Sequence, residues 1–171
     1  MFLRSIAILL VLLMTSQLIQ AGDNIDQRRR LAGHPKTSIE QLWILSDDPS
    51  WQVRQYLGRN RKSPTDLLDK LANDKHPQVR IAVSTNLATT TPTFLKLAID
   101  PDIQVRSVVA RFEYVPAEAL AIMAKDKSAD IRLEVARNLN TDKPTLELLI
   151  QDEQPEVSQS ALVGLQRLAD E

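Results

Sequence analysis

Two ladders of ionisable residues run through the sequence at one fixed step. Asp48, Asp74, Asp100, Asp126 and Asp152 are each 26 residues apart, and so are Arg28, Arg54, Arg80, Arg106 and Arg132. Carboxylates and guanidiniums at such intervals could line a charged groove that receives a ligand. They could equally bond one another and join the chain to itself through two-point arginine–carboxylate contacts. An Asp ahead of Pro49 or Pro101 is also placed to cap the helix that follows. The structural role is the expected one.

Counting separates two pairings. If each Arg bonds the Asp six residues before it, Arg28 is left over and Asp152 faces Ser158. If each bonds the Asp twenty residues after it, the pairs are Arg28 with Asp48, Arg54 with Asp74, Arg80 with Asp100, Arg106 with Asp126 and Arg132 with Asp152. No member is then left over, and this pairing is expected. The own-unit pairing stays as the alternative, as does Arg29 or Arg30 in the place of Arg28.

Other reactive side chains form no constellation. His34 and His76 fall in separate units at turn positions, away from any carboxylate or thiol pattern, and are expected to be solvated rather than metal ligands. No nucleophile elbow, phosphate loop or zinc-protease motif is present, and four glycines cannot build a glycine-rich cradle. No catalytic residue, metal or cofactor is therefore expected.

The elements that carry the ladders repeat with them. Leu42, Leu68, Phe94, Leu120 and Leu146 form one apolar column, and Leu45, Leu71, Leu97, Met123 and Leu149 a second. Val53, Val79, Val105, Ile131 and Val157 give a third, and Leu57, Val83, Val109, Val135 and Ala161 a fourth. Asn60, Asn86 and Asn138 form a polar column that Phe112 and Gly164 interrupt, and they suit turns or left-handed helix ends. A fixed period without insertions means one small unit stacked on copies of itself.

Within a unit, Leu67, Leu68 and Leu71 recur at helical spacing with Asp66, Asp69 and Lys70 between them. Ser63, Pro64 and Asp66 read as the start of that helix, and Thr37 with Glu40 reads as the start of its predecessor. A second helix is expected from about Pro77, with Val79, Ala82 and Val83 on one face. Helices this short are marginal alone in water, so stacking must stabilise them.

Five units are expected over residues 39–64, 65–90, 91–116, 117–142 and 143–168, after an N-terminal capping half-unit over 22–38 and before a short tail at 169–171. Val157, Ala161, Leu165 and Leu168 prolong one helical face, as a closing helix would. Residues 1–21 differ from the rest. Arg4, the apolar run Ile6 to Met14 and a more polar stretch to Ala21 have the layout of a signal peptide, expected to be cleaved before Gly22. An uncleaved membrane anchor is the alternative.

The chain holds no cysteine, which excludes disulfides, thiol chemistry and a lipidated leader. Its 21 basic and 22 acidic residues leave a net charge of −1, unlike a general nucleic-acid binder. Residues 22–62 carry eight basic and five acidic groups, so the N-terminal end is the positive one.

The string Leu71-Ala72-Asn73-Asp74, then Val79-Arg80-Ile81-Ala82-Val83, then Asn86 and a Thr-Pro turn, resembles the leucine-rich repeat variant and, more broadly, HEAT repeats. The resemblance covers about residues 30–168. It implies an all-α, right-handed α-solenoid, an armadillo- or HEAT-like superhelix, in which an Asp followed six residues later by a basic residue is a structural signature. Variant repeats are associated with an iron–sulfur cluster on a cysteine-bearing segment, and a chain without cysteine does not carry that cofactor over. Members act mostly as protein-binding scaffolds.

The expected function is thus an exported, non-catalytic scaffold for a protein or peptide, with no nucleic acid and no membrane contact beyond an uncleaved anchor. The leader points to a periplasmic or secreted protein and the resemblance implies a bacterial one; the alternative places it anchored in the inner membrane. A structural subunit of an envelope assembly and an enzyme with a loop-built site are the other readings. Irregular positions are the expected partner surface: Trp51, Tyr56 and the stripe Arg59, Arg111 and Arg137. Trp51 could instead cover the open N-terminal end, and Trp43 is expected in the core or cap.

Overall fold

Every apolar column named above is buried, and the two helices of each unit are the elements that bury them. The computed structural model describes residues 24–170, and the leader expected over 1–21 lies outside them. Among the described residues all regular structure is helical. The helices are α1 (Ile25–Gly33), α2 (Ile39–Leu45), α3 (Trp51–Arg59), α4 (Thr65–Leu71), α5 (Pro77–Ser84), α6 (Thr91–Ala98), α7 (Ile103–Arg111), α8 (Ala117–Met123), α9 (Ala129–Arg137), α10 (Lys143–Leu149) and α11 (Pro155–Asp170).

The helix starts keep the sequence period. First helices begin at 39, 65, 91, 117 and 143, and second helices at 51, 77, 103, 129 and 155, in steps of 26. Helix α1 begins at 25, one step before α3, so it stands in the register of a second helix. The second helices α1, α3, α5, α7, α9 and α11 pack on one another as one continuous row, each against the next. The first helices lie beside that row.

All twenty members of the four apolar columns are at most 3 % exposed. Each such side chain is worth roughly 1.5–3 kcal/mol when removed from water, which is what makes helices of seven to nine residues hold. Helix α11 runs for 16 residues, burying Val157 and Ala161 and packing Leu165 and Leu168 against the core. No helix among the described residues is long and apolar enough to cross a membrane.

Several local expectations change. Ser63 does not cap the first helix: Pro64 holds the cap position, while the Ser63 hydroxyl donates to the Leu57 carbonyl at 2.7 Å. Thr37 does the same for Leu31 at 2.6 Å, and the cap of α2 is Ser38 in a capping box with Gln41. Thr89 and Thr141 repeat the bond onto Val83 and Val135, so this hydroxyl column closes the end of the preceding second helix. Trp43 is 37 % exposed rather than core, with the Lys70 ammonium 5.8 Å from its ring.

The asparagines are not left-handed. Asn60 and Asn138 have φ near −70° and extended ψ, and no non-glycine residue among those described has positive φ. Their side chains, which bond backbone carbonyls 26 to 28 residues earlier, explain the column instead.

Candidate interaction surface

Each ladder arginine spans two units. Its Nε reaches an Oδ of the Asp twenty residues ahead at 2.5–2.7 Å, in the five pairs Arg28–Asp48, Arg54–Asp74, Arg80–Asp100, Arg106–Asp126 and Arg132–Asp152. In the last four, Nη2 bonds the second carboxylate oxygen, so the grip is two-pronged. Nη1 of the same four donates to the backbone carbonyl of the Asp six residues behind. The own-unit Asp is thus contacted through its backbone, and the next unit's through its carboxylate.

The Asp side chains do not cap the second helices directly. Asp48 Oδ1 accepts from the Ser50 N–H, Asp74 from His76, Asp100 from Asp102, Asp126 from Ser128 and Asp152 from Gln154. This is a turn closed two residues on, which holds the carboxylate so that it faces the arginine. Burial acts first, and upward, on Asp74 and Asp126; the arginine hydrogen bonds, the backbone N–H groups of His76 and Ser128 and the neighbouring positive charges together outweigh it and leave both carboxyls below the usual range. The bond from Arg132 holds Asp152 low as well. Charges this well satisfied are not available to a ligand.

A second ladder ties the opposite ends of the same helices. Asn60 Nδ2 donates to Ala32 O at 2.7 Å and His34 O at 3.3 Å. Asn86 donates to Gly58 O and Asn60 O, and Asn138 to Ala110 O and Phe112 O. Each side-chain oxygen accepts the N–H two residues on, closing its own turn. The 26-residue asparagine column was visible in the sequence, but its bonds to a helix 26 to 28 residues earlier were not. At Phe112 the ladder is broken, and the ring stacks on Phe94 at 6.0 Å instead. At Gly164 helix α11 continues, so no turn needs closing.

The structure withdraws the two aromatic candidates from the free surface. Trp51 is half-buried and lies flat on His76, with ring centroids 4.0 Å apart and planes 5° apart. It faces the next unit, not the N-terminal end. His76 itself is half-buried rather than a solvated loop residue, and its Nδ1 accepts the Gln78 N–H at the start of α5. Tyr56 faces backwards onto α1, where Arg29 donates to its hydroxyl at 3.2 Å and lies over its ring. A Cβ on Gly33 would come within 2.9 Å of the Tyr56 ring, so the close approach of α1 requires glycine there.

Arg59, Arg111 and Arg137 stand differently. They are the last residues of α3, α7 and α9, exposed, and make no ion pair among the described residues. A cation at a helix C-terminus favours the carbonyl end of the dipole, which accounts for its tolerance there but leaves the guanidinium face open. Arg111 Nε bonds only the Ser107 carbonyl of its own helix, at 3.3 Å. Thr85, the residue just after α5, stands in the same register. His34 is exposed, and no group of three or more His, Asp and Glu among the described residues could hold a metal ion.

A solved structure described as a leucine-rich repeat variant with a novel repetitive protein structural motif is similar with a TM-score of 0.68, over 85 % of this chain. This chain has the leucine-rich repeat variant fold. Sequence identity to that structure is 21 %, and the chain spans 58 % of its length, so the likeness concerns the fold. No family model and no curated protein matches the sequence. In this leucine-rich repeat variant fold the regular polar residues join units, and the irregular ones at the helix ends are left facing water.

Proposed function

We propose that the chain is an exported, non-catalytic helical-repeat scaffold that binds a protein or peptide along the C-terminal ends of its second helices. The observation that supports this reading is a division of labour among the arginines. All five ladder arginines are consumed between units, whereas Arg59, Arg111 and Arg137 are exposed on one edge without an ion pair among the described residues. Exposed cations repeated along a rigid row favour an acidic partner. The exported part of the reading rests on the charged, apolar and small-residue order of residues 1–21, and places the protein in the periplasm or outside the cell.

The test is a photo-crosslinking residue placed at Thr85, between Arg59 and Arg111, with the adduct identified by mass in the native compartment. A single protein adduct that is lost when Arg59, Arg111 and Arg137 become Gln is the expected result. Absence of any adduct, together with turnover in a substrate screen, would replace binding by catalysis. The intact mass of the purified protein reports whether residues 1–21 have been removed.

A further inference from the structure

The arginine edge has a second feature that the repeat does not require. Leu87, Tyr114 and Leu139 are 60 %, 60 % and 73 % exposed, which places them among the most exposed large apolar side chains described. They occupy the turns that follow α5, α7 and α9, two, three and two residues after Thr85, Arg111 and Arg137. Stacking does not explain them. Every inward position of these units is already filled by the buried columns, and water-facing turns ordinarily carry polar residues.

The ridge they form is rigid. Asn86 binds the turn before it, at Asn60 O, at 3.1 Å, and Asn138 binds Phe112 O at 3.1 Å. Asn140 adds bonds to Glu113 O and Val115 O at 2.7 and 3.1 Å. At the break in the asparagine ladder, Phe112 holds Tyr114 edge-on at 5.7 Å. The Leu139 turn is therefore fixed to the Tyr114 turn, and the Leu87 turn to the one before it, and the apolar side chains stand one per unit beside the row of arginines. The row ends in a cleft of about 320 Å³ between α9 and α11, lined by Arg137, Leu139, Val163 and Arg167. Its other end is cationic, with Lys36, Arg59, Arg61 and Lys62 all exposed and unpaired among the described residues.

We propose that the occupant of this edge is an extended acidic segment of a partner protein, with an apolar side chain at about every third residue. The spacing follows from the stack. Packed helices lie about 8–10 Å apart, and an extended chain advances about 3.3 Å per residue, so about three residues cross each unit. An apolar residue then meets Leu87, Tyr114 and Leu139 in turn, while carboxylates between them meet Arg111, Arg137 and the Lys36–Arg59–Lys62 end. A helical partner advances about 1.5 Å per residue and would need a different apolar spacing. This inference rests on the binding reading above and adds the partner's chemistry and register.

The probe is a fluorescent peptide repeating Val-Asp-Asp long enough to cross four units, measured by anisotropy against the purified protein. Its control has the same composition with all valines together. The repeating peptide is expected to bind, to weaken with salt, and to lose about tenfold or more in affinity for Leu87→Ser/Tyr114→Ser/Leu139→Ser and for Arg111→Gln/Arg137→Gln. These positions are exposed, so unchanged far-UV circular dichroism checks that the variants fold. Equal binding of the clustered control, or unchanged binding by the serine variant, overturns the inference. If no peptide binds yet the Thr85 crosslinker captures a protein, the inference fails and the binding reading stands. If neither occurs, the inference fails, and with turnover in the substrate screen the binding reading fails too.

Discussion

Arg80 holds Asp100 by both carboxylate oxygens, Nε to Oδ2 at 2.7 Å and Nη2 to Oδ1 at 2.8 Å, while its Nη1 donates to the Asp74 carbonyl at 2.7 Å. One side chain thus joins two units and satisfies a backbone acceptor of its own. Breaking it leaves a buried carboxylate uncompensated, since the Asp100 side chain is only 5 % exposed. Arg80→Met should cost about 3–5 kcal/mol in urea unfolding, and adding Asp100→Leu should restore part of that loss. A single-variant loss below about 1 kcal/mol would place the ladder among weak surface pairs.

Acid should loosen the same contacts. Asp74, Asp126 and Asp152 have carboxyls held below their ordinary range in the folded chain. The stability they contribute is present above the unfolded-state value of about 3.9, and is lost as pH falls through the lower folded-state values. The urea midpoint should therefore drop steeply below about pH 4. Asp126→Asn should be less stable at neutral pH, with a shallower acid slope.

The asparagine ladder predicts a different kind of loss. Asn86→Ala removes two bonds to buried carbonyls, at 2.7 and 3.1 Å, and the closure of the 86–88 turn at 3.0 Å. Unsatisfied buried acceptors cost about 1–3 kcal/mol, and amide exchange should quicken first near residues 58–60 and 86–88. An exchange pattern unchanged at those amides would mean the ladder does not hold the turns.

Gly58 marks a close approach of α3 to α5. A Cβ there would lie 2.8 Å from Ala82 Cβ and 3.2 Å from the Val83 backbone nitrogen. Backbone cannot swing aside as a side-chain tip can, so Gly58→Ala should destabilise by about 1–3 kcal/mol despite alanine's better helix propensity. Thermal unfolding of that variant, compared with an alanine at exposed Thr85, measures the effect directly.

The apolar columns and the pairing of Arg54 with Asp74 were legible from residue spacing alone. In a stack, a contact between neighbours is always made across the same number of residues, so counting along the chain stands in for distance in space. The same count offered Arg28 for the first ladder position, with Arg29 or Arg30 as the alternative, and it is Arg28 that bonds Asp48 at 2.7 Å. The candidate surface was only half legible. Arg59, Arg111 and Arg137 were singled out as departures from the repeat, but so were Trp51 and Tyr56, and residue type does not say which way an irregular side chain turns.

Sequence by itself determined the period and the buried columns, and favoured pairing each arginine with the aspartate twenty residues on, because each follows from repetition of residue type at a constant step. Tertiary structure decided what depends on direction. Trp51 turns forward onto His76, Tyr56 turns back onto Gly33, and Asn86 reaches carbonyls at the end of the preceding second helix. It also left Leu87, Tyr114 and Leu139 in water beside the free arginines. Those outcomes hang on where the neighbouring backbone ends and how closely it approaches, quantities that exist only once the units are stacked.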